Sequence, residues 1–466
     1  MSSEKSKALQ FYLSHIKSYS DKIPYFRKVL KYLWMISWKI SLKLKSIKLS
    51  IDLEKIYWVS PNAIKYTRKE AYHNVLPYYQ FKHIEKILIK DWDLPPNIVK
   101  VDEYKSYKTL YAHFIEGKEW KDTDFYKIEL NRIKNGMIRW GCYSEREFIE
   151  RFKKLDELYN DIKNNGFKTQ KMLGMKRILK HKGIREIEDE ISIAISRHGD
   201  LVRDDAQHRF AIAKILNIDR IPIQILFRHE KWMEFRKKIF YHIRREMAGK
   251  ALQPLLHPDL SDIPSFWSDK RFKMIKQNLT TKKGTLLDIG AHWGYFCHKF
   301  EELGFQCTAM EGSMRNVYFM KKLKRAERSN FNIISKSIFD YKDCKNFEDD
   351  LNYDVVLALN LFNQFTDIEK KDLCSKFAEI FGKIKAKEMY FQIPEYEVIQ
   401  KLEKTAEYKN RKFSSQELID FVINNTHFTH AEKIGEERNH RIYKLTKRNI
   451  DESKEDKEIK RGRYLC

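Results

Sequence analysis

From Thr285 onward, apolar and polar positions fall into a repeated order of short apolar run, turn and amphipathic stretch. Leu286 and Leu287 end an apolar run of the kind a strand buried on both faces shows. Asp288, Gly290 and Gly294 then form a tight turn, and Phe296, Phe300 and Leu303 recur at helical spacing. The next apolar run, 305–310, closes on an acid, Glu311, 23 positions after Asp288. Strand, glycine turn, helix, strand and terminal acid predict the opening βαβ unit of a nucleotide-binding sheet. The pattern continues with strand-like runs over 331–338, 353–360 and 388–393, the first ending at Phe339-Asp340. A helix is expected over 368–381, a capped helix start over 413–417, and two β-rich segments over 431–434 and 440–445.

The composition of the glycine turn narrows the ligand. A dinucleotide site uses G-x-G-x-x-G, whose middle glycine lets the backbone approach a pyrophosphate. Here that position is His292, and Asp288 precedes the turn. A carboxylate at this place suits a ligand with a cationic amino end and no phosphate, such as S-adenosylmethionine (SAM). With Asp288, Gly290, Gly294 and Glu311 in this order, the chain resembles the class I SAM-dependent methyltransferases. The resemblance implies a doubly wound, Rossmann-like α/β sheet of seven strands over residues 251–449, with the cofactor at the carboxyl ends of the strands. It implies that Asp288, Gly290, Gly294, Glu311 and Asp340 hold SAM, Glu311 on the ribose hydroxyls and Asp340 near the adenine. It also implies that the loop from Asn360 through Phe365 lies beneath the methyl group, with Asn360 and Asn363 facing the acceptor.

Two departures bear on the chemistry. The Asn/Asp-Pro-Pro-Tyr/Phe run usual in methyltransferases acting on DNA base amines is missing, since Leu361-Phe362 follows Asn360. Asn363-Gln364 stands where related sequences often have histidines. No general base is assigned; a sulfonium is already an activated leaving group, and positioning suffices for methyl transfer.

The preceding residues, 46–250, have a different character. Ile47, Leu49, Ile51 and Leu53 alternate as in a strand, and 146–167 has helical periodicity ending at Asn165-Gly166. Ile191, Ile193 and Ile195 alternate into a His198-Gly199 turn; Asp204 to Ala213 opens a helix, and 221–225 forms another strand. The run Asp205-Ala206-Gln207-His208-Arg209 resembles the ParB/sulfiredoxin-like α+β domain, in which Asp-Gly-x-His-Arg begins a helix. The resemblance implies that the helix start holds a phosphate with Asp205, His208 and Arg209. Free amides and the helix dipole favour an anion at such an end. The alternative is that Arg209 pairs with Asp204 or Asp205 and fixes the helix. Ala206 replaces the family's glycine. His229, Trp232 and Arg236, just beyond the last strand, are candidates for substrate contact or for packing. Pro254, Pro258 and Pro264 mark the expected domain boundary, with Trp267 and Phe272 leading into the second domain.

Charge changes the picture of partners. The chain of 466 residues carries a net +25, and residues 1–50 hold 11 Lys/Arg against two acids. Diffuse basicity favours anionic partners: a small-molecule or glycan acceptor, a nucleotide or nucleic acid, or membrane headgroups. The basic segment 1–45, with Trp34 and Trp38 one helical turn apart among lysines, reads as a packed helix or as a surface that lies on an anionic membrane. No run approaches the ~20 apolar residues of a transmembrane span, and the six cysteines show no zinc spacing and fit a reducing cytoplasm. The expected location is cytoplasmic or membrane-peripheral. The charged tail 450–466 is expected to be disordered. The leading expectation is a methyltransferase with an anion-recognising amino-terminal domain. Its rival is a nucleotide- or nucleic-acid-binding protein, or a phosphotransferase, in which the methyltransferase fold is a scaffold.

Overall fold

A computed structural model of the chain describes residues 52, 55–69, 90–138, 142–173, 190–341, 351–359, 378–394 and 415–447. The alternating positions 47–53, the segment 1–45, the tail after 449, and Asn360 and Asn363 lie outside these residues. The chain divides into two compact units, Met1–Phe235 and Arg236–Cys466, and the division falls within helix Glu230–Glu246.

The first unit is built on a mixed sheet of six strands: β1 (Ile56–Val59), β2 (Tyr66–Arg68), β3 (Ile98–Lys100), β4 (Ile191–Ile195), β5 (Leu201–Arg203) and β6 (Ile221–Arg228). Their order is β1-β6-β4-β5-β2-β3. β4 is central and every residue in it is buried, so its apolar run is continuous rather than alternating in burial. Helix Glu145–Asn165 starts at Ser144, whose Oγ accepts from the Glu147 N–H, and stops at Gly166, which takes φ 74°. Its apolar stripe, Phe148, Phe152, Leu155 and Ile162, packs with Leu110, Trp120 and Tyr126, and with Ala211 and Ile212 of helix Gln207–Ile215. Trp232 is buried against Phe235, and His229 is buried as well.

The second unit holds β7 (Thr285–Ile289), β8 (Gln306–Met310), β9 (Asn332–Ile334), β10 (Val355–Ala358), β11 (Glu388–Pro394), β12 (His430–Glu437) and β13 (His440–Thr446). The seven strands run in the order β12-β13-β11-β10-β7-β8-β9. β7 to β11 are parallel, and β13 inserts antiparallel between β11 and β12. Alternate residues feed two cores, as the strand period requires. Leu286, Val355, Leu357 and Tyr390 meet Phe272, Ile275, Phe296 and Phe300 from helices Lys270–Gln277 and Tyr295–Glu301. Leu287, Val356, Ala358, Met389 and Phe391 meet Ile419 and Val422 of helix Ser415–Asn424. The sheet is therefore covered by helices on both faces, and its order reverses between β7 and β10, where a doubly wound sheet opens its ligand crevice. β9 is shorter than the apolar run 331–338, because Phe331 is core packing ahead of the strand and Ile338 already begins helix Ile338–Tyr341.

Ala206, at the start of helix Gln207–Ile215, has φ 60° and ψ 43°, the left-handed conformation that costs an L-residue ~1–2 kcal/mol. Ala206→Gly is expected to stabilise the first unit by up to about 1 kcal/mol, and the β-branched Ala206→Val to destabilise it by about 2 kcal/mol, measured by urea unfolding. Equal stability of all three proteins would show that this backbone is not left-handed.

Candidate functional site

Asp288 is the next-to-last residue of β7 and pairs in register with Ala309 of β8 and Leu357 of β10, which places it beside the crevice. Its side chain lies on the same sheet face as Leu286, the face covered by helix Lys270–Gln277. It is buried, and its Oδ2 has no hydrogen-bond partner among the described residues. Burial pushes its carboxyl up to about 7, with the nearby Glu311 adding to the shift and Arg271 opposing it.

The loop after Asp288 brings the other predicted residues together. Gly290 and Gly294 take φ 73° and 85°, and the N–H groups of Gly290 and Ala291 both donate to the Met310 carbonyl. At Gly294 a Cβ would stand 3.0 Å from Phe331 Cζ and 3.1 Å from Met320 Cγ, so both conformation and space demand glycine. His292, in the position a dinucleotide site gives to glycine, nevertheless has φ 52°. Glu311 fixes that turn: its Oε2 accepts from the His292 N–H at 2.8 Å and its Oε1 from the Ser313 N–H at 2.8 Å. Oε1 also accepts from Asn316 Nδ2 at 3.4 Å, and Oε2 keeps a further lone pair for a ligand hydroxyl. Asp340 lies one strand further out, exposed, in helix Ile338–Tyr341.

Four residues at this place carry no motif. Arg271 is fully buried and donates from Nη1 to Gln392 Oε1 (2.9 Å) and from Nη2 to Gln253 Oε1 (2.7 Å). Burial pulls its guanidinium down to about 9, against the attraction of Glu437 and Asp288. Trp293 is buried, stacked on His292 at 5.0 Å and against Phe319 at 4.7 Å, with its Nε1–H donated to Asn316 Oδ1. A signal for Arg271 was present: it shares the apolar stripe of its helix with Ile275, one turn on, where a surface cation does not belong. Gln392 likewise interrupts the buried run Met389–Ile393, otherwise built of apolar and aromatic residues.

Behind the loop, His292, Tyr295, His298 and Glu327 line a cavity. His292 Nδ1, His298 Nε2 and Glu327 Oε1 are buried there without partners among the described residues. Burial holds the two imidazoles down at about 3 and about 4 and pushes the Glu327 carboxyl up to about 8.

In the first unit the three candidate phosphate residues sit together at one helix start but are differently engaged. Asp205 Oδ1 accepts from the Ala206 N–H at 2.7 Å. Arg209 lies 3.5 Å from Glu190, donates to the Lys168 carbonyl, and stacks on Phe167. Burial, reinforced by Arg151 and Arg203, holds His208 down at about 3, so it is neutral. Asp204 is paired with Arg68 at 2.6 Å. The cation that sequence reading missed is Arg203. It is buried, donates from Nη2 to Thr67 Oγ1, and covers the Tyr104 ring at 5.1 Å. Its Nη1 has no partner among the described residues.

No protein-family model matches the chain, and no curated protein matches it in sequence. Among solved structures, monomeric WbdD is similar at 12% identity over 44% of this chain and 48% of that one, with a TM-score of 0.33. The chain thus spans less than half of that WbdD chain. The PH0226 protein of Pyrococcus horikoshii OT3 is similar at 14% identity over 38% of this chain and 90% of that one, TM-score 0.31. Magnesium protoporphyrin IX methyltransferase of Synechocystis PCC 6803, solved with bound SAM, follows at 8% identity over 39% and 77%, TM-score 0.29.

Glu327 and Asp288 have folded-state values raised by burial, so the stability they contribute is complete in acid and is lost as pH rises through about 7 to 8. Glu327→Gln, neutral at every pH, is expected to raise the thermal midpoint at pH 8.5 and to leave it nearly unchanged at pH 5. A midpoint difference independent of pH would remove the buried, protonated Glu327 from this account.

Proposed function

We propose that the second unit binds SAM in the crevice at the ends of β7 and β10 and transfers its methyl group to an acceptor. One observation carries this reading: Asp288 and Arg271 are buried on one face of the sheet, and Asp288 Oδ2 lacks a partner among the described residues. A buried carboxylate without a bonded partner is costly and stays protonated until a cation arrives. The amino-acid end of SAM supplies an ammonium for Asp288 and a carboxylate for Arg271. Glu311, just beyond β8 and held by the His292 and Ser313 amides, would accept from the ribose hydroxyls. When bound, SAM would supply the activated methyl group; this chain's part would be to orient it through Gly290, Gly294 and Glu311. The acceptor class that the basic composition favours is anionic, a phosphorylated small molecule or glycan.

A phosphate-bearing ligand in the first unit is favoured by Arg203 rather than by Arg209. A buried guanidinium with an unpartnered Nη1 stands within electrostatic reach of His208, and its Tyr104 ring partner hydrogen-bonds Gln207 at 3.2 Å. The helix starting at Gln207 has no side-chain cap at Ala206, and the positive end of its dipole favours an anion. This is the part played by the helix start in ParB/sulfiredoxin-like domains, and it supports that resemblance as a reading of the first unit.

The ammonium of SAM requires ionised Asp288, so its affinity is expected to rise roughly tenfold between pH 5.5 and pH 7. Calorimetry should show that rise in the parent protein and its loss in Asp288→Asn. Glu311→Ala should weaken SAM by about 1.5–3 kcal/mol. Absent SAM binding, or affinity independent of pH, would overturn the assignment. For the first unit, pyrophosphate and sugar phosphates should raise the melting temperature of the parent but not of Arg203→Met. SAM affinity should stay unchanged in that variant, and no shift with any phosphate in the parent would leave Arg203 as packing.

A further inference from the structure

Two neighbouring helices of the second unit present a cationic face that the SAM reading does not use. The stretch from Arg236 to Glu246 of helix Glu230–Glu246 exposes Lys237, Lys238, Arg244 and Arg245. Helix Met314–Ala326 exposes Arg315, Lys321, Lys322 and Arg325 and contains no acid at all. The two are tied together by Lys238, whose Nζ is 3.5 Å from Tyr318 Oη and 5.5 Å from its ring centroid, by the Arg315–Glu246 ion pair, and by His242 against Phe319 at 5.3 Å. Glu246 is the single acid on either stretch, and it is already shared between Arg315 and His242. Set among these cations are large side chains turned to solvent: Met314 at 66% exposure, Tyr241 at 65% and Tyr318 at 37%.

We propose that this face docks on an anionic lipid bilayer. The charge asks for a polyanion, and the remaining features choose which one. Single-stranded nucleic acid is held by bases stacked on open aromatic faces. Here the ring of Tyr318 is covered by Lys238 and that of Tyr241 by Arg245, whose Nη1 also donates to Tyr241 Oη at 2.7 Å. A tyrosine with its hydroxyl held beside a cation suits the headgroup layer, where amphipathic rings and long basic side chains settle together. Met314 adds an unbranched apolar tip at the edge of the face, able to enter the acyl boundary. The basic residues 1–50, with 11 Lys/Arg and two acids, would add to the same attraction. A soluble enzyme held this way meets acceptors that are themselves confined to the membrane surface.

The test uses the full chain with vesicles of phosphatidylcholine alone or with 30% phosphatidylserine. Binding is expected only to the anionic vesicles and to fall steeply between about 50 and 300 mM salt, as the Debye length shortens. Lys321→Glu, Lys322→Glu and Arg325→Glu together should weaken vesicle binding at least tenfold. Tyr241→Ser with Met314→Ser, which leaves the charge unaltered, should weaken it at least threefold. All five positions are exposed, and unchanged melting temperatures check that both variants fold. The proposal is overturned if the parent ignores anionic vesicles, if the charge-reversed protein binds them as well as the parent, or if a 30-nucleotide RNA binds more tightly than vesicles and loses that binding to the same substitutions.

Discussion

Burial of opposite charges on one face of a parallel sheet organises the second unit. Asp288 and Arg271 are both inaccessible, yet among the described residues Asp288 forms no ion pair, and Arg271 spends its terminal nitrogens on the carbonyls of Gln253 and Gln392. An apolar core does not tolerate such a carboxyl without a reason, since an unpaired buried charge costs several kcal/mol. The protein limits the cost at Asp288 by protonation, since burial raises its carboxyl to about 7. A cationic ligand group would remove the mismatch at Asp288, with Arg271 beside it for an accompanying carboxylate. The surrounding structure keeps the two side chains on that face, through strand register for Asp288 and Gln392 and through the buried stripe of helix Lys270–Gln277 for Arg271.

The glycine loop depends on the same carboxylate economy. Glu311 holds both ends of its surroundings, the His292 amide in the loop and the Ser313 amide at the next helix start. With those bonds made, His292 is kept in a left-handed turn that an imidazole-bearing residue adopts reluctantly. The first unit shows a parallel case. Ala206 occupies a position where the resembling family has glycine, and it still adopts a left-handed backbone. In both turns the conformation survived the exchange of the residue that normally makes it easy, which points to a geometry imposed by the neighbouring strand and helix rather than by local preference.

The doubly wound sheet was legible in the sequence because its central strands are short apolar runs and its first turn carries two glycines and an acid in a recognisable order. The register of β7 to β11, and the covering of both faces, follow from that alternation. Asp288, Gly290, Gly294 and Glu311 were legible for the same reason, and the structure brings them to one loop. Arg271, Gln253 and Gln392 were not, because they come from three separate segments and a lone charge or amide in sequence does not disclose what it faces. In the first unit, Arg209 attracted notice by its place in a motif-like run, but Glu190, Lys168 and Phe167 engage it; the buried cation is Arg203, hidden as the last residue of an apolar strand. Of the two aspartates before the helix, Asp204 is held by Arg68.

The central claim is that the Asp288/Arg271 pair recognises the amino-acid end of SAM. Equilibrium dialysis of the full chain at pH 7 against SAM and 5′-methylthioadenosine, which keeps the nucleoside and sulfur and lacks the amino-acid end, tests it most directly. The account predicts binding of SAM at least a hundredfold tighter, about 2.7 kcal/mol, because the buried Asp288 carboxyl would gain a cationic partner only in that complex. Equal affinities for the two compounds, or no binding of either, would contradict it.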